Sequence, residues 1–321
     1  MPDALDELTP LRVERADPAA EDIKLYELAR ADGGELPPFA PGAHVQVKTP
    51  GGLLRRYSIA NAPEERDRYQ IAVKRERNGR GGSTDLFDHV DVGATLEVSA
   101  PRNDFALTGN PVSYVFIAGG IGITPIRSMI LHLRAARGKP FKLYYLSRTP
   151  AMTAFRDEFA ALDYRGKVVM HYDEGDADRA YDLWPVLEKP KGAYLYCCGP
   201  RGLMESVRDM TGHWSRAAVH FEDFGSGQET RTADDKPFTV RLARSGAVVP
   251  VAADRTILET LRAHGVTIAS SCESGTCGTC RVGLVAGEPD HRDLVLADYE
   301  RDRDIMVCVS RARSPELVLD L

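Results

Sequence analysis

Three changes of texture along the 321-residue chain predict a multidomain protein: a small antiparallel β-barrel, an α/β domain on a parallel sheet, and a domain built round a cysteine loop. Short apolar runs between turn clusters fill the first stretch. Strands and helices alternate in the second. In the third, three cysteines fall at 272, 277 and 280, with a fourth at 308. The expected boundaries are 1–107 for the barrel, 108–226 for the α/β domain, 227–235 for a linker and 236–321 for the last domain.

In the first stretch the strand candidates are His44–Val47, Tyr57–Ile59, Tyr69–Val73 and Thr95–Val98. Pro37-Pro38, Pro50-Gly51-Gly52 and Asn78-Gly79 separate them as turns. A short helix is expected at Thr84–His89, opened by Gly82-Ser83. Many short strands at this spacing suit a closed antiparallel sheet. The second stretch reads as strand Tyr114–Ala118, helix from Pro125 to Ala136, strand Phe141–Leu146, helix Thr153–Leu162, strand Val168–His171, strand Ala193–Cys198 and helix Leu203–Met210. Such alternation means βαβ units.

Residues 225–235, GSGQETRTADD, hold almost no apolar side chain and mark the linker. Two strands follow, Phe238–Leu242 and Val248–Val251, then a helix Thr256–His264 closed by Gly265. The cysteine loop and strands at Ile305–Val309 and Glu316–Leu319 complete the chain.

Composition bounds the function. Hydrophobic residues make up 43% and charged residues 27%, as in ordinary soluble globular proteins. A net charge of −6 argues against nucleic acid as a partner. MPDALDELTP has no apolar signal-peptide core, and no apolar run approaches the ~18 residues of a membrane span. A cytoplasmic location is expected, with the six cysteines as reduced thiols or metal ligands.

The loop Ser271-Cys272-Glu273-Ser274-Gly275-Thr276-Cys277-Gly278-Thr279-Cys280 has the spacing C-x4-C-x2-C. With Cys308 this is the plant-type [2Fe–2S] pattern. Four thiolates must converge on two irons, and the bridging sulfides need N–H donors. Gly275 and Gly278 allow the tight wrap, and Ser271, Ser274, Thr276 and Thr279 can donate as well. Zinc is the rival ligand, but zinc sites usually pair two close Cys/His couples. Cys197 and Cys198 point to opposite faces of a strand and cannot share a metal.

Ala118-Gly119-Gly120-Ile121-Gly122-Ile123-Thr124-Pro125 stands between a strand and a helix, where backbone N–H groups can approach a pyrophosphate. Pro125 replaces the third glycine of the usual dinucleotide fingerprint and suits a first helical turn. Cys198-Gly199-Pro200 again follows a strand and precedes a helix. Two such loops on one parallel sheet would line one crevice. In the barrel, Arg55-Arg56-Tyr57-Ser58 offers a cation, an aromatic ring and a hydroxyl on one extended strand. Asn78-Gly79-Arg80-Gly81-Gly82-Ser83-Thr84 forms a glycine turn before a helix, suited to a phosphate.

Taken together, R-x-Y-S, G-G-x-G-x-T-P and C-G-P resemble the ferredoxin–NADP reductase superfamily. The order barrel, nucleotide domain, [2Fe–2S] domain is similar to the phthalate dioxygenase reductase family, and the resemblance spans essentially the whole chain. It implies a β-grasp fold for the plant-type ferredoxin domain. It also implies FMN held by Arg55, Arg56, Tyr57 and Ser58, with Ala72, Val73 and Lys74 running along it. Gly81, Gly82 and Ser83 would take the phosphate with Arg55 and Arg80. NADH would use Gly119, Gly120, Gly122, Thr124 and Pro125, faced by Cys198, Gly199, Pro200 and Met204. The segment 221–225 would close the domain, with Phe224 stacking on the flavin. Ser58, Thr124, Cys198 and Phe224 would then position the reacting rings.

Arg148, after a strand, suits a 2′-phosphate and hence NADPH. The resemblance implies NADH, and Asp173 is expected to disfavour the phosphate by repulsion. The implied acceptor is a Rieske-type non-haem iron oxygenase, and a monomer is expected by analogy. A free-standing NADH diaphorase or flavin reductase, and a redox-sensing iron–sulfur protein, are the other readings.

Overall fold

The computed structural model describes residues 8–77, 79, 81–161, 166–224, 232 and 234–321. They form two compact units that part between His220 and Phe221. The first unit contains the barrel and most of the parallel sheet.

The barrel comprises β1 (Thr9–Ala20), β2 (Ile23–Ala29), β3 (His44–Lys48), β4 (Leu54–Ser58), β5 (Tyr69–Lys74) and β6 (Thr95–Val98), in the order β4-β3-β6-β1-β2-β5. A bridge between Ile59 and Ile71, with Ala60 N donating to Gln70 O at 2.8 Å, joins the two outer strands and closes the sheet. Closure removes the unpaired edges. Val13, Tyr26, Leu28, Val45, Ile71 and Val73 fill the interior. β1 and β2 were not anticipated from sequence. Charges alternate along Arg12–Asp17, and Pro18 reads as a breaker. In the fold Pro18 sits beside a register shift between Pro18 and Ala20, where a proline is tolerated. The short helix α1 (Gly82–His89) starts at Gly82, two residues before the expected Thr84.

The parallel sheet is built from β7 (Ser113–Gly119), α2 (Ile123–Ala135), β8 (Phe141–Ser147), α3 (Arg156–Ala160), β9 (Val168–Tyr172), α4 (Trp184–Leu187), β10 (Ala193–Cys198), α5 (Arg201–Met210) and β11 (Val219–Glu222). Its order is β11-β10-β7-β8-β9, with β10, β7, β8 and β9 parallel. The chain leaves β7 toward β8, while β10 lies on its other side. The β7/β10 boundary is therefore the switch point where open α/β sheets bind ligands.

Two helix predictions need correction. α2 begins at Ile123, so Pro125 lies within its first turn, where a missing N–H costs nothing. The helix expected over Thr153–Leu162 shrinks to α3. Pro150–Met152 forms a 3-10 turn, Phe155 takes a left-handed φ of 56°, and only then does α3 start. Leu162 lies outside the described residues.

The second unit contains β12 (Phe238–Leu242), β13 (Val248–Val251), α6 (Ile257–Ala263), β14 (Arg281–Ala286), β15 (Pro289–Asp290), β16 (Asp304–Met306), β17 (Arg311–Ala312) and β18 (Glu316–Leu319). The main sheet runs β13-β12-β18-β14-β16, with β12 and β18 parallel. α6 packs Ile257, Leu258 and Leu261 into its core. Thr256 and Glu259 form a reciprocal capping box at 3.0 and 2.9 Å. At the other end the Val266 and Gly265 N–H groups return to Leu261 and Arg262, each at 3.0 Å, a Schellman closure on the predicted glycine. The strand expected over Ile305–Val309 stops at Met306. Val309 and Ser310 N–H turn back onto the Met306 carbonyl, and that turn carries Cys308. Arg281–Ala286, to which the sequence reading assigned no element, is the strand β14.

Much of the segment expected as linker, 225–231 and 233, lies outside the described residues. Asp235 at its end is anchored. Its carboxylate accepts from both Arg292 Nη atoms at 3.0 and 2.6 Å and pairs with Arg311 at 3.4 Å.

Candidate functional site

At the switch point the two glycine loops touch through their backbones. A Cβ on Gly122 would overlap the Cys198 carbonyl and lie 2.8 Å from Gly199 N. One on Gly119 would meet Pro200 Cδ at 2.5 Å, and one on Gly199 would lie 2.8 Å from Gly119 Cα. No larger residue fits this contact without parting the loops. Gly120 differs, with φ 53° and nothing within 4 Å of its Cβ position. Thr124 is buried and donates to the Ile121 carbonyl at 3.1 Å, bracing the turn into α2. Cys198 and Met204 are fully buried. Pro200 caps α5 and accepts from Met204 N at 3.2 Å. The predicted nucleotide residues of both loops are thus brought together.

Arg148 and Asp173 follow β8 and β9 at their ends, on backbones that stay paired. Asp173 N–H donates to Ser147 O at 3.2 Å, and Glu174 N–H to Arg148 O at 2.9 Å. Asp173 Oδ1 is engaged by Gly175 N at 2.8 Å.

In the barrel, β4 pairs with β3 so that Tyr57 faces Val45, Arg56 faces Gln46 and Ser58 faces His44. Burial pushes the Tyr57 phenol up, against the opposing pull of Arg55. Ser58 is buried. The Arg55 side chain lies directly over Gly82, where any Cβ would overlap it. A guanidinium therefore stands at the N-terminus of α1, which is a place for an anion. Ser83 Oγ accepts from Glu76 N at 3.1 Å, and Thr84 Oγ1 donates to Glu76 O at 3.2 Å, so both hydroxyls shape the turn. Asp85 ties α1 to the β3–β4 turn by accepting from Gly51 N at 2.7 Å, a contact without sequence signal. Ala72 and Val73 are buried in β5, and Lys74 pairs with Glu76. Arg80 lies outside the described residues. Phe224 is 41% exposed and falls in the second unit.

The four cysteines form two couples. The thiols of Cys272 and Cys277 act on each other's protonation, as do those of Cys280 and Cys308, and the Cys272 and Cys277 N–H groups each donate to the other's Sγ, at 3.4 and 3.3 Å. Two irons take two thiolates each, so the two couples suit a [2Fe–2S] cluster. The N–H groups of Ser274, Thr276 and Cys277 reach Cys272 Sγ at 3.5, 3.4 and 3.3 Å, and Thr279 Oγ1 lies 3.2 Å from Cys277 Sγ. The Cys277 thiol, with Thr276 and Ser274, draws the Cys272 thiol down. Cys280 and Cys308 are 3% and 2% exposed. Cys197 is also fully buried, and burial pushes its thiol up, as for a packing residue.

Glycine again serves the wrap. Gly275 has φ 79°, and a Cβ there would meet Val309 Cγ2 at 2.7 Å. Glu273 takes φ 53° without being glycine. Its carboxylate accepts from Arg262 at 2.7 Å and from Ser270 Oγ at 2.8 Å, which pins the loop to α6. Sequence reading missed both residues. A salt bridge spaced by eleven positions leaves no local pattern.

The comparisons agree with this geometry. Residues 10–107 match the family described as oxidoreductase FAD-binding domain, 116–209 the oxidoreductase NAD-binding domain, and 240–313 the 2Fe-2S iron-sulfur cluster binding domain. The phthalate 4,5-dioxygenase oxygenase reductase subunit of Pseudomonas putida is 51% identical over 317 residues, 98% of each chain. The phthalate dioxygenase reductase of Burkholderia cepacia is 51% identical over 312 residues, 97% of each. A solved structure of phthalate dioxygenase reductase superposes with a TM-score of 0.73 at 50% identity, covering 98% of both chains. No helix among the described residues is long and apolar enough to cross a membrane. With a flavin barrel, a nucleotide sheet and a thiol loop in one chain, and half of its residues shared end to end with these relatives, the protein belongs to the phthalate dioxygenase reductase family and is an NADH-dependent oxidoreductase that moves electrons through a flavin to a [2Fe–2S] cluster.

Proposed function

We propose that the chain is the reductase component of a Rieske-type aromatic-ring dioxygenase, that its flavin is FMN, and that an oxygenase takes single electrons from its cluster. One observation supports the reading: two glycine loops in backbone contact at the end of a parallel sheet, a guanidinium at a helix N-terminus and a two-couple thiol loop occur in a single chain half identical to a phthalate dioxygenase reductase. The barrel family is described by FAD, so flavin is the shared property and FMN the finer reading. The Arg55 guanidinium at the α1 N-terminus supports it, as a suitable seat for a terminal phosphate dianion. A monomer in the cytoplasm, with domains at 1–107, 108–226 and 236–321, completes the proposal.

In this reading Gly119, Gly120 and Gly122 hold the NADH pyrophosphate at the start of α2. Thr124, Cys198 and Met204 shape the nicotinamide side of the crevice. Ser58 offers its hydroxyl to the flavin ring, beside Arg56 and Tyr57, with Ala72, Val73 and Lys74 along it. Asp173 and Arg148 discriminate at the ribose. Bound flavin supplies the change from a two-electron donor to one-electron acceptors. The side chains align and exclude water, and none need act as an acid or base.

Anaerobic NADH titration of the purified protein tests this. Flavin and iron–sulfur absorbance should both bleach, and a Rieske oxygenase should then be reduced. Cys272→Ser should keep flavin bleaching and lose oxygenase reduction. Full oxygenase reduction by that variant would sink the proposed electron route. Phosphodiesterase treatment of the released flavin settles its identity, since only FAD gains fluorescence.

A further inference from the structure

Arg127 lies on α2, one turn beyond the nucleotide loop, yet its side chain is only 13% exposed. Four partners hold it. Nη1 donates to the Ala60 carbonyl at 2.7 Å and to Gln70 Oε1 at 3.1 Å. Nε donates to Glu158 Oε2 at 2.8 Å, and the guanidinium covers the Phe155 ring at 4.5 Å from its centroid. The first two partners belong to the barrel and the last two to the nucleotide side.

The barrel partners are a particular pair. Ala60 N–H bonds to the Gln70 carbonyl at 2.8 Å, the contact that closes the barrel. Ala60 stands two residues after Ser58 and Gln70 two before Ala72. Both of those strand ends carry proposed flavin contacts. On the other side Phe155 keeps φ 56°, which an aromatic residue rarely adopts unless its surroundings hold it there. A planar guanidinium with several fixed donors specifies geometry in a way that apolar packing does not.

We propose that Arg127 is a positioning residue for hydride transfer, locking the nucleotide loop, through α2, against the flavin-bearing edge of the barrel. The transfer breaks the C–H bond of the dihydronicotinamide. Its hydride carries both electrons to the flavin, and NAD+ leaves. Arg127 touches neither ring. It sets their separation, to which such steps are steeply sensitive. The inference rests on the reading that the β7–α2 loop binds NADH.

The test is anaerobic stopped-flow reduction of the intact holoprotein by NADH, comparing wild type with Arg127→Met, Arg127→Lys and Glu158→Gln. In Arg127→Met the flavin reduction rate constant at saturating NADH should fall about 10- to 100-fold. Half-saturation should stay within about twofold, because lost alignment is read in rate and not in ground-state binding. The long-wavelength absorbance of stacked nicotinamide and flavin should weaken in parallel. Arg127→Lys should be intermediate. Glu158→Gln, which leaves the arginine in place, should slow the step about threefold or more, and it keeps the question answerable if Arg127→Met does not fold. Wild-type rate constants per flavin-loaded molecule in the variants, with losses only in melting temperature or flavin content, would overturn the inference. A wild-type protein that NADH does not bleach would overturn the nucleotide reading itself, a distinct result.

Discussion

At the crevice between β7 and β10, glycine stands where one backbone meets another: Gly119 against Gly199, and Gly122 against the Cys198 carbonyl. In the cysteine loop it stands where the chain must turn left-handed, at Gly275 and Gly278, and side chains complete the hold. The crevice is thus fixed by main-chain contact that neither salt nor pH can loosen. The thiol loop adds side-chain bonds, from Arg262 and Ser270 to Glu273, to its main-chain bond from the Leu294 N–H to the Gly275 carbonyl at 2.9 Å. The first arrangement suits a site whose reacting partner diffuses in and must find one geometry. The second suits a loop that has to close around its cluster.

The largest expected effect tests the crevice. Gly122→Ala should part the two loops and slow NADH-driven flavin reduction by about 100-fold or more, since small misplacements cost that much. Gly120→Ala meets no neighbour and carries only the left-handed backbone cost of about 1–2 kcal/mol. Stopped-flow rates for both variants, each with flavin bound, separate close approach from backbone conformation. Equal damage in the two would break the distinction. Next in size, Gly275→Ala combines a left-handed φ with a 2.7 Å approach to Val309. It should lose iron and labile sulfide on purification while NADH still bleaches the flavin. Full cluster content in that variant would show the loop to be more yielding than described.

Side-chain dependence in the second unit is next. Burial alone would raise the Asp235 carboxyl, but Arg292 and Thr232 outweigh it and hold the group below the usual carboxylate range. A depressed carboxylate adds stability that is fully present above its unfolded value near pH 4 and disappears as pH falls through the folded value. Asp235→Asn should therefore destabilise the second unit by about 2 kcal/mol at neutral pH, the scale of a hydrogen bond to a charged group. The gap should close as the pH drops below about 4. Denaturant titrations followed by cluster absorbance at several pH values would reveal this, and a pH-independent gap would count against the ion pair.

What sequence reading reached depended on how local the determinant is. The cysteine spacing, both glycine loops and the strands Ala193–Cys198 and Phe238–Leu242 are written in consecutive residues. β1 escaped because its buried face shows as only Leu11 and Val13 among charges, and because a register shift accommodates Pro18. The end of β16 at Met306 escaped because a turn, not hydrophobicity, aims Cys308. Arg127, Glu158 and Arg262 carried no signal at all. Each acts through a partner far along the chain, and the residue types alone read as surface charge. The loops were legible and their fastenings were not.

The smallest effect concerns the helix that anchors the thiol loop. Thr256 Oγ1 accepts from Glu259 N, and the Glu259 carboxylate accepts from Thr256 N, so two otherwise unpaired donors of α6 are satisfied reciprocally. Thr256→Ala removes one of these bonds and should cost about 1 kcal/mol of stability in the second unit. Through Arg262 on the same helix, the loss should reach the Glu273 turn, so the cluster should also be released sooner on warming. The β7/β10 crevice belongs to the other unit. Flavin reduction by NADH in the variant should therefore match wild type until the cluster is lost, as followed by rapid kinetics alongside thermal release of iron. A slowed flavin step with the cluster intact would mean that the two kinds of site are not held independently, and the contrast between backbone-fixed and side-chain-fixed loops would have to give way to a shared scaffold.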